Sequence, residues 1–290
     1  MNKKPLILGI ESSCDETSVA IVKNRQVLSN IVKSQINIHS FYGGVVPEVA
    51  SRQHLEIINQ AIASALREAD LDWPDIDGIG ATCAPGLVGA LLVGLTAAKT
   101  LAIVHEKPFV GVHHLEGHIY AAYLSQPELK PPFLSLLVSG GHTSLIYVKD
   151  CGKYETLGQT RDDAAGEAFD KVARLLNLGY PGGPKIEELA RRGNENRFML
   201  PKPILNRGGS NLSFAGLKTA ILRLKEFIKT EKDKKDLAAS FQKTVLDILN
   251  KKTKKAIEQY LEFYPKNRTL VVAGGVAANK QIRITLERLC

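Results

Sequence analysis

An α/β protein built from two related lobes is what this sequence predicts, on three observations. Strand-like and helical stretches alternate along most of the 290 residues, the pattern of sheets covered by helices. A unit of apolar run, small polar loop and apolar run occurs twice, as PLILGIESSCDETSVAIV from Pro5 to Val22 and as PFLSLLVSGGHTSLIYV from Pro132 to Val148. Each copy reads as a β-hairpin. A proline-marked boundary, Leu129-Lys130-Pro131-Pro132, falls at the start of the second copy, so we expect an N-terminal lobe over 1–128 and a C-terminal lobe over 129–290. One loop carries carboxylates; the other carries glycines and hydroxyls. Two lobes with a cleft between such loops suit a nucleotide and a metal, because phosphate takes backbone N–H groups while carboxylates handle a cation or water. Shape alone leaves two unrelated hairpins equally open.

The elements follow in order. After the first hairpin, Val27 to Ser34 supplies a third strand, and Tyr42-Gly43-Gly44-Val45-Val46-Pro47 is a turn-rich loop. From Pro47 the sequence PEVASRQHLEIINQAIASALREA has helical periodicity, with apolar positions at Val49, Leu55, Ile58, Ile62 and Leu66. Gly78 to Thr82 is a short buried strand, Gly89 to Ala102 a small-residue helix, Phe109 to Val112 a strand and Leu115 to Leu124 a helix. In the second half, Asp163 to Leu176 is helical and closes on Gly179-Tyr180-Pro181-Gly182-Gly183-Pro184, with a helix from Lys185 to Arg192 after it. Asn194 to Leu212 reads as a basic loop. Lys218 to Lys229 and Leu237 to Glu262 are amphipathic helices with Lys-rich outer faces, which suit plain solvation and leave RNA contact open. Thr269 to Ala273 is a strand opening through Gly274-Gly275 into a last helix. That helix reaches Cys290 with no Gly, Asn or Pro stop signal, so a further strand and covering helix are expected beyond it.

Composition narrows the class. A hydrophobic share of 44% with 23% charged residues is that of a soluble globular protein. The formal net charge of +8 is compatible with a polyanionic partner but does not by itself require one. Cys14, Cys83, Cys151 and Cys290 show no CxxC spacing, which argues against a zinc ribbon or a disulfide framework and for a reducing cytoplasm. Met1-Asn2-Lys3-Lys4 precedes only a short apolar run broken by Glu11, a poor secretory leader. No window has the roughly 18 uninterrupted apolar residues of a membrane span.

Four places carry candidate chemistry. In His113-His114-Leu115-Glu116-Gly117-His118, His114 and His118 are four apart and share a helical face, so they can chelate one metal. A zinc protease needs glutamate directly after the first histidine, and Leu115 holds that place. The Ser139-Gly140-Gly141-His142 loop can admit a phosphate; a plain turn is the alternative. Asp170 near Gly182-Gly183 can accept from ribose hydroxyls, or face Lys171 or Arg174 on the surface. Gly274-Gly275, after a strand and before a helix, suits an adenosine or phosphate at a helix N-terminus, as well as an ordinary turn.

Taken together, GIESSCDETSVAIV, YGGVVPEVASRQH, PGLVGALLVG, HHLEGHIYA, VSGGHT, GEAFDKVARLL, YPGGP, SFAGLKTA and VAGGVAAN closely resemble the TsaD family, in order and without a large gap from Leu6 onward. These are the catalytic subunits of tRNA threonylcarbamoyladenosine synthases, once described as O-sialoglycoprotein endopeptidases. The resemblance implies the actin-like ATPase (ASKHA) fold. It implies transfer of threonylcarbamoyl from threonylcarbamoyl-AMP to the exocyclic amine of the adenosine beside the anticodon, in tRNAs reading ANN codons. It also implies one divalent metal, Fe2+ or Zn2+, an adenine nucleotide site, a cytoplasmic location, TsaB-like and TsaE-like partner proteins and a separate synthase for the donor.

Residue by residue, His114 and His118 match the family's metal-binding histidines, and Val138, Ser139, Gly140, Gly141 and His142 its phosphate loop. Asp170, Gly183 and Glu187 match ribose and adenine contacts, and Asn279 the last nucleotide contact. Asp15 with Glu16 matches the acidic pair needed for activity. The family's third metal ligand, an aspartate in a TDNA-like motif, has no counterpart in this sequence, which puts metal occupancy in doubt. A small-molecule kinase of the same fold and a metalloprotease are the rival readings.

Overall fold

The first hairpin forms because Leu8, Ile10, Val19 and Ile21 alternate with partly exposed residues and all point to one buried face. The computed structural model describes residues 4–289; Met1–Lys3 and Cys290 lie outside them. Strands β1 (Leu6–Glu11), β2 (Glu16–Lys23) and β3 (Gln26–Ser34) make an antiparallel meander, with Leu6 opposite Lys23 and Glu11 opposite Ser18. A short helix α1 (Ile36–Tyr42) then leads into α2 (Pro47–Glu68), β4 (Gly78–Ala84), α3 (Val88–Val104), β5 (Phe109–His113) and α4 (His114–Ser125). The sheet order is β3-β2-β1-β4-β5, with β4 parallel to both β1 and β5. Helix α2 buries Ile58, Ala61, Ile62 and Ala65, and α3 buries Ala98 and Ala102, in one core with Leu8, Val19 and Ile79. This is the compact unit Met1–Glu128.

The unit Leu129–Cys290 repeats the plan. Strands β6 (Phe133–Val138), β7 (Thr143–Asp150) and β8 (Lys153–Gln159) form a second meander, with Phe133 opposite Val148 and Val138 opposite Thr143. Helices α5 (Ala165–Leu175), α6 (Gly182–Ala190), α7 (Ala215–Leu224) and α8 (Glu231–Phe263) follow, then β9 (Leu270–Ala273) and α9 (Lys280–Glu287). The order β8-β7-β6-β9, with β9 parallel to β6, reproduces β3-β2-β1-β4 of the first sheet. Strand β6 is buried along its whole length, as a central strand covered on both faces should be. Its core is dominated by α5 and α8: Phe169 meets Phe241 edge to face at 5.0 Å between ring centres, and full burial of a ring of that size contributes about 1.5–3 kcal/mol.

Several elements differ from the sequence expectation. Strand β8 and helix α1 were not anticipated, and both are weak in apolar pattern: β8 is an edge strand exposed over most of its length. Helix α8 begins at Glu231 rather than near Leu237, because Thr230 and Asp233 form a capping box. The Asp233 N–H donates to Thr230 Oγ1 at 3.1 Å, and the Thr230 N–H donates to Asp233 Oδ2 at 2.8 Å. Its first turns, Glu231 to Asp236, contain no apolar residue to reveal the period. Helix α5 starts at Ala165, two residues after Asp163, and α6 takes Gly182 and Gly183 into its first turn. No helix of the described residues is long and apolar enough to cross a membrane.

Candidate functional site

In the first unit the organising residue is Glu11, the last residue of β1. One carboxylate oxygen accepts from the Ser13 N–H. The other accepts from Thr82 Oγ1 at 2.5 Å and faces His114 Nδ1 at 3.1 Å. Burial opposes ionisation of Glu11, but the hydrogen bonds from His114, Ser13 and Thr82 outweigh it and hold the carboxyl down at about 2. An ionised Glu11 only accepts, so Nδ1 of His114 carries a proton; in the neutral ring that tautomer makes Nε2 the acceptor. Helix α4 sets His118 one turn further on, its ring centre 4.6 Å from that of His114. The sequence thus pairs the two histidines as expected. Glu11 itself was missed; its only signal was a carboxylate ending an apolar strand.

The loop from Ser12 to Glu16 is fixed by its neighbours. Ser12 Oγ donates to Ala90 O at 2.9 Å, and the Leu87 N–H donates to Ser13 O at 2.8 Å. Any Cβ on Gly86 would lie 2.6 Å from Ser13 O, so the PGLVG turn needs that glycine to pack here. On the other side the fully buried His54 of α2 meets Thr17 Oγ1 at 2.7 Å and Cys14 O at 3.0 Å. Burial pushes His54 down, which keeps it a neutral strut. Asp15 and Glu16 stand in this rigid loop beside Glu11. Partial burial, with the charges of Asp15 and Glu11, raises Glu16 above the usual carboxylate value. Desolvation by the surrounding loop and the neighbouring Asp15 push the Cys14 thiol up to about 12, although part of the residue is exposed.

In the second unit, Ser139 and His142 close the β6–β7 hairpin. The Ser139 N–H donates to His142 O at 2.8 Å and the His142 N–H donates to Ser139 Oγ at 3.1 Å. Gly140 and Gly141 are the exposed tip. Two other backbones press on this turn from behind. A Cβ on Gly166, in the first turn of α5, would lie 2.7 Å from Gly140 Cα, and one on Gly274 would lie 2.4 Å from Val138 O. Asp170, one turn along α5, accepts the Gly182 N–H at 2.7 Å and so holds the start of α6. Glu187 of α6 accepts the Lys280 N–H at 3.2 Å. Asn279 caps α9 by accepting from the Gln281 and Ile282 N–H groups, and donates to Gln242 at 3.0 Å. The predicted residues of this unit therefore form one connected set, in which Asp170 and Asn279 already do structural work.

Four glycines of this set are not demanded by the fold. At Gly140, Gly141, Gly183 and Gly275 an added Cβ would meet nothing within 4 Å, and none has a positive φ. Glycine without a packing or dihedral need is what a backbone keeps for close approach of a ligand. Among the described residues no group of three His, Cys, Asp or Glu side chains is gathered to hold a metal.

Two meander sheets of the same order, each with helices built on it, define an α/β protein of the actin-like ATPase class. Component A of (R)-2-hydroxyglutaryl-CoA dehydratase from Acidaminococcus fermentans shares this fold with a TM-score of 0.51 at 14% identity, over 98% of this chain and 87% of that one. The chain belongs to the TsaD family: the family model for tRNA N6-adenosine threonylcarbamoyltransferase matches residues 26–290. A relative of that name from Trichodesmium erythraeum is 72% identical over 97% of this chain and 89% of its own. One from Nostoc punctiforme is 64% identical, covering 97% and 81%.

Proposed function

We infer that this protein is a tRNA N6-adenosine threonylcarbamoyltransferase that takes threonylcarbamoyl from threonylcarbamoyl-AMP and places it on the exocyclic amine of the adenosine beside the anticodon, in tRNAs reading ANN codons. Beyond family membership, the observation that carries this reading is His114 held by Glu11 and paired with His118. The amine nitrogen attacks the carbamoyl carbon, the bond from that carbon to the phosphate oxygen breaks, AMP leaves, and the amine gives up a proton. Asp15 is our candidate to orient the amine or take that proton, with Glu16 beside it raised above the usual carboxylate value by desolvation and by the charges of Asp15 and Glu11. His114 and His118 fit a divalent ion, Fe2+ or Zn2+, which when bound would polarise the carbamoyl or threonine oxygens.

The Val138–His142 turn would meet the donor's phosphate with backbone N–H groups. Asp170, Gly183, Glu187 and Asn279 surround the position we assign to the adenosine. The metalloprotease reading loses support at Leu115, and also because Glu11 is engaged with His114 rather than poised over a water. We further propose that the protein works in the cytoplasm with TsaB-like and TsaE-like partners and a separate synthase that supplies the adenylate.

The test is incorporation of labelled threonine into unmodified tRNA, given preformed threonylcarbamoyl-AMP and those partner proteins. Label that is lost in both His114→Ala and Asp15→Asn is the expected result; full transfer by Asp15→Asn would remove Asp15 from the mechanism. A second measurement isolates the glycine turn. Gly140→Ala should leave stability unchanged or raised by about 0.4–1 kcal/mol, since alanine narrows the unfolded ensemble at a permissive position. The same methyl should weaken adenylate binding by intruding where the phosphate sits. Binding equal to the parent's would show that the turn is only a turn.

A further inference from the structure

Charge is divided unevenly along the chain. Met1–Glu128 holds nine Lys and Arg against thirteen Asp and Glu, a net of −4, while Leu129–Cys290 holds 29 against 17, a net of +12. Much of the second unit's positive charge is interleaved with acids, as in Lys149–Glu155, Lys171–Asp163, Lys202–Asp247 and Lys243–Glu195. One cluster is not. Lys252, in the middle of α8, is 1% exposed and donates to two neutral carbonyls, Arg207 O at 3.1 Å and Gly209 O at 3.2 Å. Burial, with the nearby charges of Lys255, Lys251 and Arg161, pushes its pKa down. Among the described residues, none of Arg161, Arg207, Lys251, Lys252 and Lys255 makes an ion pair with a carboxylate. Asp162, next to Arg161, is occupied at the start of α7 by the Phe214 and Ala215 N–H groups and Ser213.

The loop that Lys252 supports is rigid. Ser210 Oγ donates to Gln259 at 2.8 Å, Lys251 Nζ to Asn206 at 2.8 Å, and the Leu212 N–H to Gln159 O at 3.0 Å. The Arg161 N–H returns to Leu212 O at 3.0 Å, and Gly158 packs so closely that a Cβ would lie 2.2 Å from Ser210 O. Arg161, Arg207 and Lys251 are exposed on this platform and Lys255 is half-buried. A merely solvated face gains by spacing like charges or mixing in acids. Here like charges are gathered over a buried lysine, which costs stability.

We propose that Arg161, Arg207, Lys251 and Lys255 form a docking surface for the sugar–phosphate backbone of the tRNA substrate. The proposal rests on the reading of tRNA as substrate. Phosphates would supply the negative charge that the protein leaves out, and arginine forks match their oxygens. A protein partner would call for an apolar centre within the patch, and these four residues offer only cations.

The test is equilibrium binding of unmodified tRNA to the full chain across a salt series, for the parent and for Arg207→Gln/Lys251→Gln/Lys255→Gln. Loss of three phosphate contacts should flatten the slope of log affinity against log salt by about 2–3, with at least a tenfold weaker complex at low salt. Adenine nucleotide binding should not move and the unfolding midpoint should not fall, since like charges around Lys252 are removed, and Lys23→Gln/Lys33→Gln in the first unit should behave as the parent. A parent-like slope in the triple variant would overturn the proposal alone, as would an unchanged slope with lost binding of an acidic partner protein. A parent chain that binds no tRNA at any salt would overturn it together with the substrate reading, while nucleotide binding shows that the fold is intact.

Discussion

Replacing Glu11 by glutamine is expected to yield a folded chain that holds a divalent metal about 10–100-fold more weakly than the parent, the usual cost of losing a partner that orients a ligating histidine. The reason lies in the proton on His114. Glutamate offers only acceptors, and three donors converge on it: the Ser13 N–H, Thr82 Oγ1 and His114 Nδ1. A glutamine of the same shape must turn its NH2 toward one of them. Turned toward His114, it makes Nδ1 the acceptor, moves the ring proton to Nε2 and removes the lone pair a metal needs. Metal retained per chain after dialysis against a buffered Zn2+ series, read beside the unfolding midpoint, separates this from general damage. Unchanged metal affinity in Glu11→Gln would show that something else sets the His114 tautomer. His118→Ala should weaken metal binding too, without touching the Glu11 hydrogen bonds.

Gly274→Val is expected to have the largest effect on stability of any single change in the second unit's site. Gly274 sits at φ 98°, where a β-branched residue is strained by about 1–3 kcal/mol. Its Cβ would lie 2.4 Å from Val138 O, and Val138 cannot retreat, because β6 is held by β7 on one side and β9 on the other. The strand end, and with it the Ser139–His142 turn, must move. Thermal unfolding should shift down by about 2–4 °C for each kcal/mol lost in a domain of this size, and adenine nucleotide binding should be lost with it. This is the opposite of the result expected at Gly140, where an added methyl meets only open space. A stable, nucleotide-binding Gly274→Val chain would show that the convergence of β6, α5 and β9 is not what shapes the turn.

Much of this protein was legible in order along the chain. The two hairpins and the strand–helix alternation could be read because each rests on local information: an apolar period, a glycine or proline break. His114 and His118 could be paired from spacing alone, since a helical turn brings residues four apart to one face. What failed locally failed for a physical reason. Edge strand β8 buries little, and the first turns of α8 bury little hydrocarbon, so neither carries an apolar signature; only the Thr230–Asp233 box marks where α8 begins.

The sequence by itself determined the class of fold, the family and most of the site's polar residues, though not Glu11. Only the tertiary structure decided what those residues do. Glu11 and His114 are 103 positions apart and meet because β1 and the start of α4 finish at the same end of one sheet. Gly166 and Gly274 matter because their backbones touch the SGGH turn, while a Cβ added at Gly140 or Gly275 would meet nothing within 4 Å. Arg161, Arg207 and Lys251 become one charged surface only when the loop beyond Ile204 is laid across β8 and α8. Periodicity and turn chemistry act over a few residues and survive in the one-dimensional string. Hydrogen bonds, close backbone contacts and the gathering of charge act through space, between segments that the chain order keeps apart.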